Sequence, residues 1–390
     1  MKLLHISDLH IGKRIYGYDL EDDQRFILKE IIDIINDEKP DAVLIAGDIY
    51  DRADPSASAV RIFDDFLSML ASTGTESFII YGNHDSGHRV AYGSRLFGRA
   101  GIHFSPVYDG EPQCTVLEDE YGPVNIYMLP YLRSVDAEEA LGSIEVDKSQ
   151  RNVIVSHQFV TSAVLGDSEE MNVGTLDNIS GSCYGAFDYA ALGHIHMPQT
   201  IARSRAAADS TSEPEDGKEE AAGQCVIRYS GSPLAYSFSE SDRIHKSVTI
   251  VQLKEKGSVE VQTIDLSPLH KMRTIKGTFS DLIKDEGLVE KCRKDYIKVI
   301  LTDDAGVMDA MNRLQKVFDN VMTLEYEYMR QQAEEVLIEE IHTEGAPGDL
   351  FESFYEEQHP GKEMSGYQKD LMDKVIRKIW EGQEACDEAD

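Results

Sequence analysis

Five times within its first 200 residues the chain runs apolar for about strand length and then turns, through Gly or a polar residue, onto Asp, Asn or His. The runs are "LLHI" before Asp8, "AVLIAG" before Asp48, "FIIYG" before Asn83, "NVIVS" before His157 and "YAALG" before His194. Between the early runs, apolar residues recur at helical spacing at positions 27, 28, 31, 32, 34 and 35, and again at Val60, Phe63, Phe66, Leu67 and Leu70. A strand that is apolar at every position has to be covered on both faces, and such strands alternating with helices form an α/β layer whose strand-end loops converge. The five polar turns are therefore expected to meet at one site.

A chain of 390 residues exceeds what one core usually serves, so two folded parts and a tail are expected. The first part is predicted over 1–265, with a disordered insertion at about 203–223, where "RSRAAADSTSEPEDGKEEAAG" has no periodicity. A smaller α+β domain is predicted over 266–335, with "YIKVIL" as a strand, "GVMDAMNRLQKVF" as a helix and "VMTLEYEYM" as a strand. Residues 336–390 read as a Glu-rich linker, a helical segment and an acidic tail. The apolar residues from Leu350 to Ile379 suit one or two amphipathic helices that grip a partner.

No run reaches the roughly 18 apolar residues of a membrane span, and Asp8 and His10 interrupt the start where a signal peptide would be apolar. A soluble, cytoplasmic chain with no membrane contact is expected. The five scattered cysteines fit reduced thiols. A formal net charge of −33 argues against sequence-independent DNA binding by the chain alone, so a nucleic-acid substrate would need a local site or a partner.

The polar residues at the strand ends are Asp8, His10, Asp48, Asn83, His84, His157, His194 and His196. Imidazoles mixed with carboxylates and one amide oxygen suit Mn²⁺, Zn²⁺ or Fe. The donors outnumber the four that one tetrahedral ion needs, which favours two metals, and Asp48 is the best candidate for a bridge. Two divalent ions outweigh two carboxylates and leave a positive site that attracts phosphate. His5, inside an apolar run, reads as a core histidine, and His88, His103, His245, His270, His342 and His359 are assigned no role as metal ligands. Lys13 and Arg14 place positive charge at the edge of the site, where a backbone phosphate could lie. The apolar face of Phe63, Phe66, Leu67 and Leu70 could pack within the chain or against a twin.

"DLH" (8–10), "GDIYD" (47–51), "GNHD" (82–85), the His of "SHQ" (156–158) and "GHIH" (193–196) resemble the five blocks of the calcineurin-like metallophosphoesterases. Within that group the chain looks like the nuclease subunits of double-strand-break repair complexes, through "LLHISDLHIGK", "YSGSPLAYSFSE" and "FESFYEEQHPG". The resemblance implies a β-sandwich flanked by helices, an α+β capping domain that recognises DNA, and a helical C-terminal segment that binds a partner. It implies that Asp8, His10 and His196 hold one ion, that Asn83, His157 and His194 hold the other, and that Asp48 bridges them. The ions would be Mn²⁺, His84 would face the leaving oxygen, and Asp51 would orient His84. Asp85 more naturally ties down its own loop.

The implied activity is exonuclease on duplex ends and endonuclease on single strands or hairpins, in DNA repair, replication and recombination. The implied assembly joins two nuclease subunits, themselves a homodimer, to two coiled-coil ATPase subunits. Two alternatives remain at this level: a phosphodiesterase or phosphatase for small nucleotides, and a scaffold that has lost catalysis.

Overall fold

All five apolar runs are strands in the computed structural model, which describes residues 1–161, 163–164, 178–205 and 224–329, with isolated positions between 355 and 374. The first sheet contains β1 (Lys2–Ile6), β2 (Ala42–Ala46), β3 (Glu76–Ile80) and β4 (Ile102–Phe104). The second contains β5 (Gln113–Asp119), β6 (Gly122–Leu129), β7 (Arg151–His157), β8 (Tyr189–Gly193), β9 (Gln199–Arg205) and β10 (Gln224–Tyr229). The chain then returns to the first sheet with β11 (Ser247–Leu253) and β12 (Val259–Asp265). The strand orders are β12-β11-β1-β2-β3-β4 and β9-β10-β8-β7-β6-β5. β1 to β4 run parallel, as do β6, β7, β8 and β10, so the carboxyl ends of β1, β2, β3, β7 and β8 each lead into one of the five polar turns.

Alternation of side chains across each strand divides the apolar residues into three layers. Leu3, Leu44, Phe78, Ile126, Val155 and Tyr189 fill the space between the sheets. Their neighbours Ile45 and Ile79 point the other way, onto α1 (Glu21–Glu38) and α2 (Ala57–Thr73), where they meet Ile27, Ile31, Phe66 and Leu70. Ile154 and Leu192 face outward from the second sheet onto α3 (Ser134–Ser143) through Ala137 and Leu141. β2 is buried at all five positions because both of its faces are covered. His5 lies fully buried between the sheets, its Nδ1 2.9 Å from the Tyr189 hydroxyl, and burial pushes its imidazole down to about 3.

A third sheet, in the order β13 (Met272–Gly277), β14 (Tyr296–Leu301) and β15 (Asn320–Tyr326), packs with short helices at Phe279–Lys284, Glu286–Cys292 and Ala310–Leu314. The chain divides into two compact units, Met1–Ile300 with Met308–Leu324, and Leu301–Val307 with Glu325–Asp390. In the second unit the Val307 amide donates to the Tyr326 hydroxyl at 3.0 Å.

Some expectations change. Phe63, Phe66, Leu67 and Leu70 are buried in the chain's own core, so that face of α2 is not left over for a twin. The helix expected over 306–318 is helical at Ala310–Leu314 only, and Asp309 before it takes a left-handed φ of 55°. The first three residues of the insertion expected at 203–223 belong to β9, which continues to Arg205. Residues 206–223 lie outside the described residues, as does nearly all of the expected 336–390 linker, helical segment and tail. Among the described residues no helix is long and apolar enough to cross a membrane.

Candidate metal centre

The turns after the strands are strained. Asp8, His10, Asp48 and His194 all have positive φ, at 54°, 44°, 50° and 99°, although none is Gly. Such conformations cost on the order of 1–3 kcal/mol each and persist only where surrounding structure fixes them. Here the fixing is mutual. The Asp8 amide donates to the Gly47 carbonyl, the His10 amide to the Asp48 carbonyl, the His84 amide to Asp48 Oδ1 and the His194 amide to Asp8 Oδ1, each within 2.9–3.0 Å.

Room for this crossing is left by glycine. A Cβ on Gly47 would sit 2.5 Å from His157 Nδ1, and one on Gly82 would collide with Asp48 Oδ1.

Side chains converge in two groups. On one side are Asp8, His10 and His196, whose donor atoms lie within 4.8 Å of one another, with His10 Nε2 3.0 Å from His196 Nε2. On the other, Asn83 Oδ1 lies 3.0 Å from both His157 Nε2 and His194 Nδ1. Asp48 stands between them, its Oδ2 3.5 Å from His10 Nε2 and 3.4 Å from His157 Nε2. The Ala46 carbonyl accepts from His157 Nδ1 at 2.8 Å, which turns Nε2 toward the cluster.

The first group is closed off and the second opens at one end. Asp8, His10 and His196 are buried, as is His157 in the second group, while Asn83 is exposed and His194 half-buried.

Electrostatics follow from that burial. Burial pushes the His10 imidazole well below its ordinary value and His194 down to about 3, so both present neutral nitrogens. It also opposes charge on His157, but Asp48 beside it reverses the balance and holds that imidazole up at about 9. Asp8 is pushed up by burial, whereas His157, His10 and His84 together outweigh burial at Asp48 and keep it ionised.

Two imidazole nitrogens facing each other across 3.0 Å can share at most one proton, and carboxylate and amide oxygens stand beside them. Nitrogen and oxygen lone pairs aimed at the same point suit a divalent cation of the Mn²⁺, Zn²⁺ or Fe class.

His84 stands at the edge of the cluster, its ring edge-on to His10 at 4.9 Å between centroids. Its Nδ1 lies 3.0 Å from the Asp51 main-chain carbonyl. The Asp51 carboxylate is engaged elsewhere, accepting from Lys13 Nζ at 2.8 Å, so Asp51 touches His84 through its backbone and not through its acid. Asp85 accepts from the amides of Gly82, Ile49 and Tyr50 at 2.9–3.0 Å and pins the 82–85 turn to the 47–51 turn. His84 also lines a recess of about 470 Å³ with Lys13, Arg14, Asp51, Arg52 and Ala53.

Sequence patterning missed the residues behind the cluster. Glu240, Lys246, Tyr236, Ser230 and Ser7 are all buried there. All but Ser7 and Lys246 belong to "YSGSPLAYSFSE", which marked a resemblance but whose contacts no periodicity could supply.

A family model described as calcineurin-like phosphoesterase matches residues 1–198, and one described as type 5 capsule protein repressor C-terminal domain matches residues 268–359. A Staphylococcus saprophyticus protein named as a subunit of the nuclease SbcCD is 27% identical over 345 residues, covering 83% of this chain and 84% of that one. Among solved structures, a Thermus thermophilus protein has a TM-score of 0.39 at 12% identity, covering 67% of this chain and 98% of its own. A dimetal phosphatase from Danio rerio has a TM-score of 0.38 at 11% identity, covering 68% and 99%.

Proposed function

The chain belongs to the calcineurin-like phosphoesterases, and from that premise we propose that it is the nuclease subunit of an SbcCD-type complex, hydrolysing DNA phosphodiesters as a metal-dependent enzyme. The observation that carries this reading is Asp48 Oδ2 standing within 3.5 Å of one imidazole from each of two donor groups. Asp8, His10 and His196 would hold one divalent ion and Asn83, His157 and His194 the other, with Asp48 shared and Mn²⁺ as the metal. Bound ions of this kind supply positive charge to the phosphoryl oxygens and lower the pKa of water toward neutrality.

The chain's own residues do the rest. The Asp51 carbonyl takes the Nδ1 hydrogen of His84, so a protonated His84 offers Nε2–H to the oxygen that leaves. The rigid strand β3 and the Asp85 contacts fix the 82–85 turn, which keeps Asn83 and His84 at their separate tasks.

The recess beside His84 supports a polynucleotide over a small nucleotide. Lys13, Arg14 and Arg52 line it against a single acid, Asp51, in a chain whose net charge is −33. Cations gathered there would take a phosphate next to the one being cleaved.

The activity would comprise exonuclease action on duplex ends and endonuclease action on single strands and hairpins. In this reading residues 1–265 are the nuclease domain, 266–335 a capping domain, and 336–390 carry the segment that docks on an SbcC-type coiled-coil ATPase. The assembly would hold two copies of each subunit.

The test is to co-purify the full chain with its ATPase partner and compare a blunt duplex, a hairpin and bis-p-nitrophenyl phosphate in Mn²⁺, with and without ATP. ATP-dependent cleavage of duplex and hairpin is expected. Turnover of the small diester alone would replace this reading with the small-nucleotide one.

A further inference from the structure

The "YSGSPLAYSFSE" segment, residues 229–240, reaches all three members of one donor group. Ser230 Oγ lies 2.8 Å from Ser7 Oγ, which in turn donates to Asp8 Oδ2 at 2.5 Å. The Tyr236 hydroxyl donates to the Leu9 carbonyl, between Asp8 and His10, and its ring stands edge-on to His10 and His196 at 5.6 and 5.8 Å.

His196 is held at both ring and backbone. Its Nδ1 faces Glu240 Oε1 at 3.9 Å, and its carbonyl accepts from Lys246 Nζ at 2.9 Å and from the Ser232 amide at 3.2 Å. Lys246 Nζ also donates to Glu240 Oε2 at 2.8 Å and to Ser232 Oγ at 2.9 Å, and Glu240 Oε2 accepts from the Tyr236 amide at 3.2 Å. The Glu240 and Lys246 side chains are 1% and 6% exposed, so this pair is not a surface ion pair that salt would screen.

On the side of Asn83, His157 and His194 the segment reaches only the backbone beyond His157, where the Tyr229 hydroxyl donates to the Gln158 carbonyl at 2.7 Å and accepts from the Val160 amide at 2.9 Å. Their support is the Ala46 carbonyl on His157 and the rings of Tyr131 and Phe159 near His194, and the group opens outward at Asn83.

We infer that residues 229–240 form a brace for one half of the centre, with Glu240 as the positioning residue. The brace presets Asp8, His10 and His196 for an ion, so that half takes a divalent cation more tightly than the Asn83, His157, His194 half. The physical ground is that buried groups behind a ligating imidazole hold its orientation, here Glu240 at 3.9 Å from Nδ1 and, through Glu240, the Lys246 ammonium on the His196 carbonyl, and loss of such support weakens metal affinity by about 10–100-fold. This inference rests on the two-ion reading above.

The test titrates Mn²⁺ into the metal-free full chain by calorimetry, with elemental analysis of the dialysed product. Wild type is expected to bind two ions in two separable steps. Glu240→Gln is expected to weaken the tighter step by about 10–100-fold and to leave the weaker one within about twofold. Because Glu240→Gln leaves Lys246 buried without its carboxylate, the pair Glu240→Gln/Lys246→Met is measured beside it, with thermal unfolding of the metal-free proteins as the fold control. The paired variant is expected to fold and to show the same selective loss. If it folds and keeps both steps, or loses both alike, the brace is overturned. A wild-type chain that binds fewer than two ions would overturn the two-ion reading itself, a different result from the same titration.

Discussion

Where β7 and β8 begin, Arg151 is 2% exposed and donates to Asp119, to the Leu253 and Lys254 carbonyls and to the Gly122 carbonyl. Beside it Asp188 accepts from the Asn152 amide at 2.6 Å and from Lys256 Nζ at 2.7 Å. Where the same strands finish, imidazole faces imidazole at 3.0 Å, and four non-glycine residues of the adjoining turns sit at left-handed φ. Both ends bury charged and polar groups. At the first, Arg151 meets Asp119 and Asp188 meets Lys256, and of these groups only Arg151 Nε is buried without a hydrogen-bond partner; at the second, donors of lone pairs meet one another. A buried set that closes on itself holds a fold together, whereas one whose lone pairs point at a shared space needs a cation from outside.

The contrast can be broken first at Asp48. Asp48→Asn is expected to lower turnover by about 10⁴-fold and to reduce bound metal, because the atom between the two donor groups loses its charge. Elemental analysis beside steady-state rates checks this, and full metal content would contradict it. His84→Gln comes next, with turnover down by about 10³-fold and both ions retained. A near wild-type rate in that variant would remove His84 from the chemistry.

At the opposite end Asp119→Asn should act on stability alone. Leaving Arg151 buried without its carboxylate costs about 3 kcal/mol, read from denaturant unfolding, while turnover stays at the wild-type value. The smallest effect is its pH dependence. Arg151 holds the Asp119 carboxyl below the ordinary carboxylate range, so the unfolded chain takes up this proton first as pH falls. The stability gap between wild type and Asp119→Asn is therefore expected to be full at pH 7 and to shrink on acidification below about pH 4. A gap that widens in acid would show that Asp119 is not the stabilising partner.

Much of the site could be read without coordinates because its determinants are local. An apolar run of strand length and then a glycine or polar residue define a strand and its turn whatever lies elsewhere, and all five such runs are strands. The face of α2 was legible as apolar, but its destination was not, since periodicity says that a stripe is buried and not against what. The contact from Asp51 to His84 goes through a main-chain carbonyl, which no residue type encodes. Glu240 lies 44 positions from the histidine it faces, in a short helix at Phe238–Arg243 whose sequence carries no ligand pattern.

The sequence by itself determined which residues sit at strand ends and which chemical donors they carry, because side-chain alternation and turn chemistry act over a few neighbours. Only the tertiary structure decided that Asp48 stands between two groups, that one group is sealed and braced while the other opens at Asn83, and that Lys13 turns to Asp51. Those outcomes depend on how two sheets, joined by strands more than a hundred residues apart, pack their ends against each other to within a few tenths of an ångström.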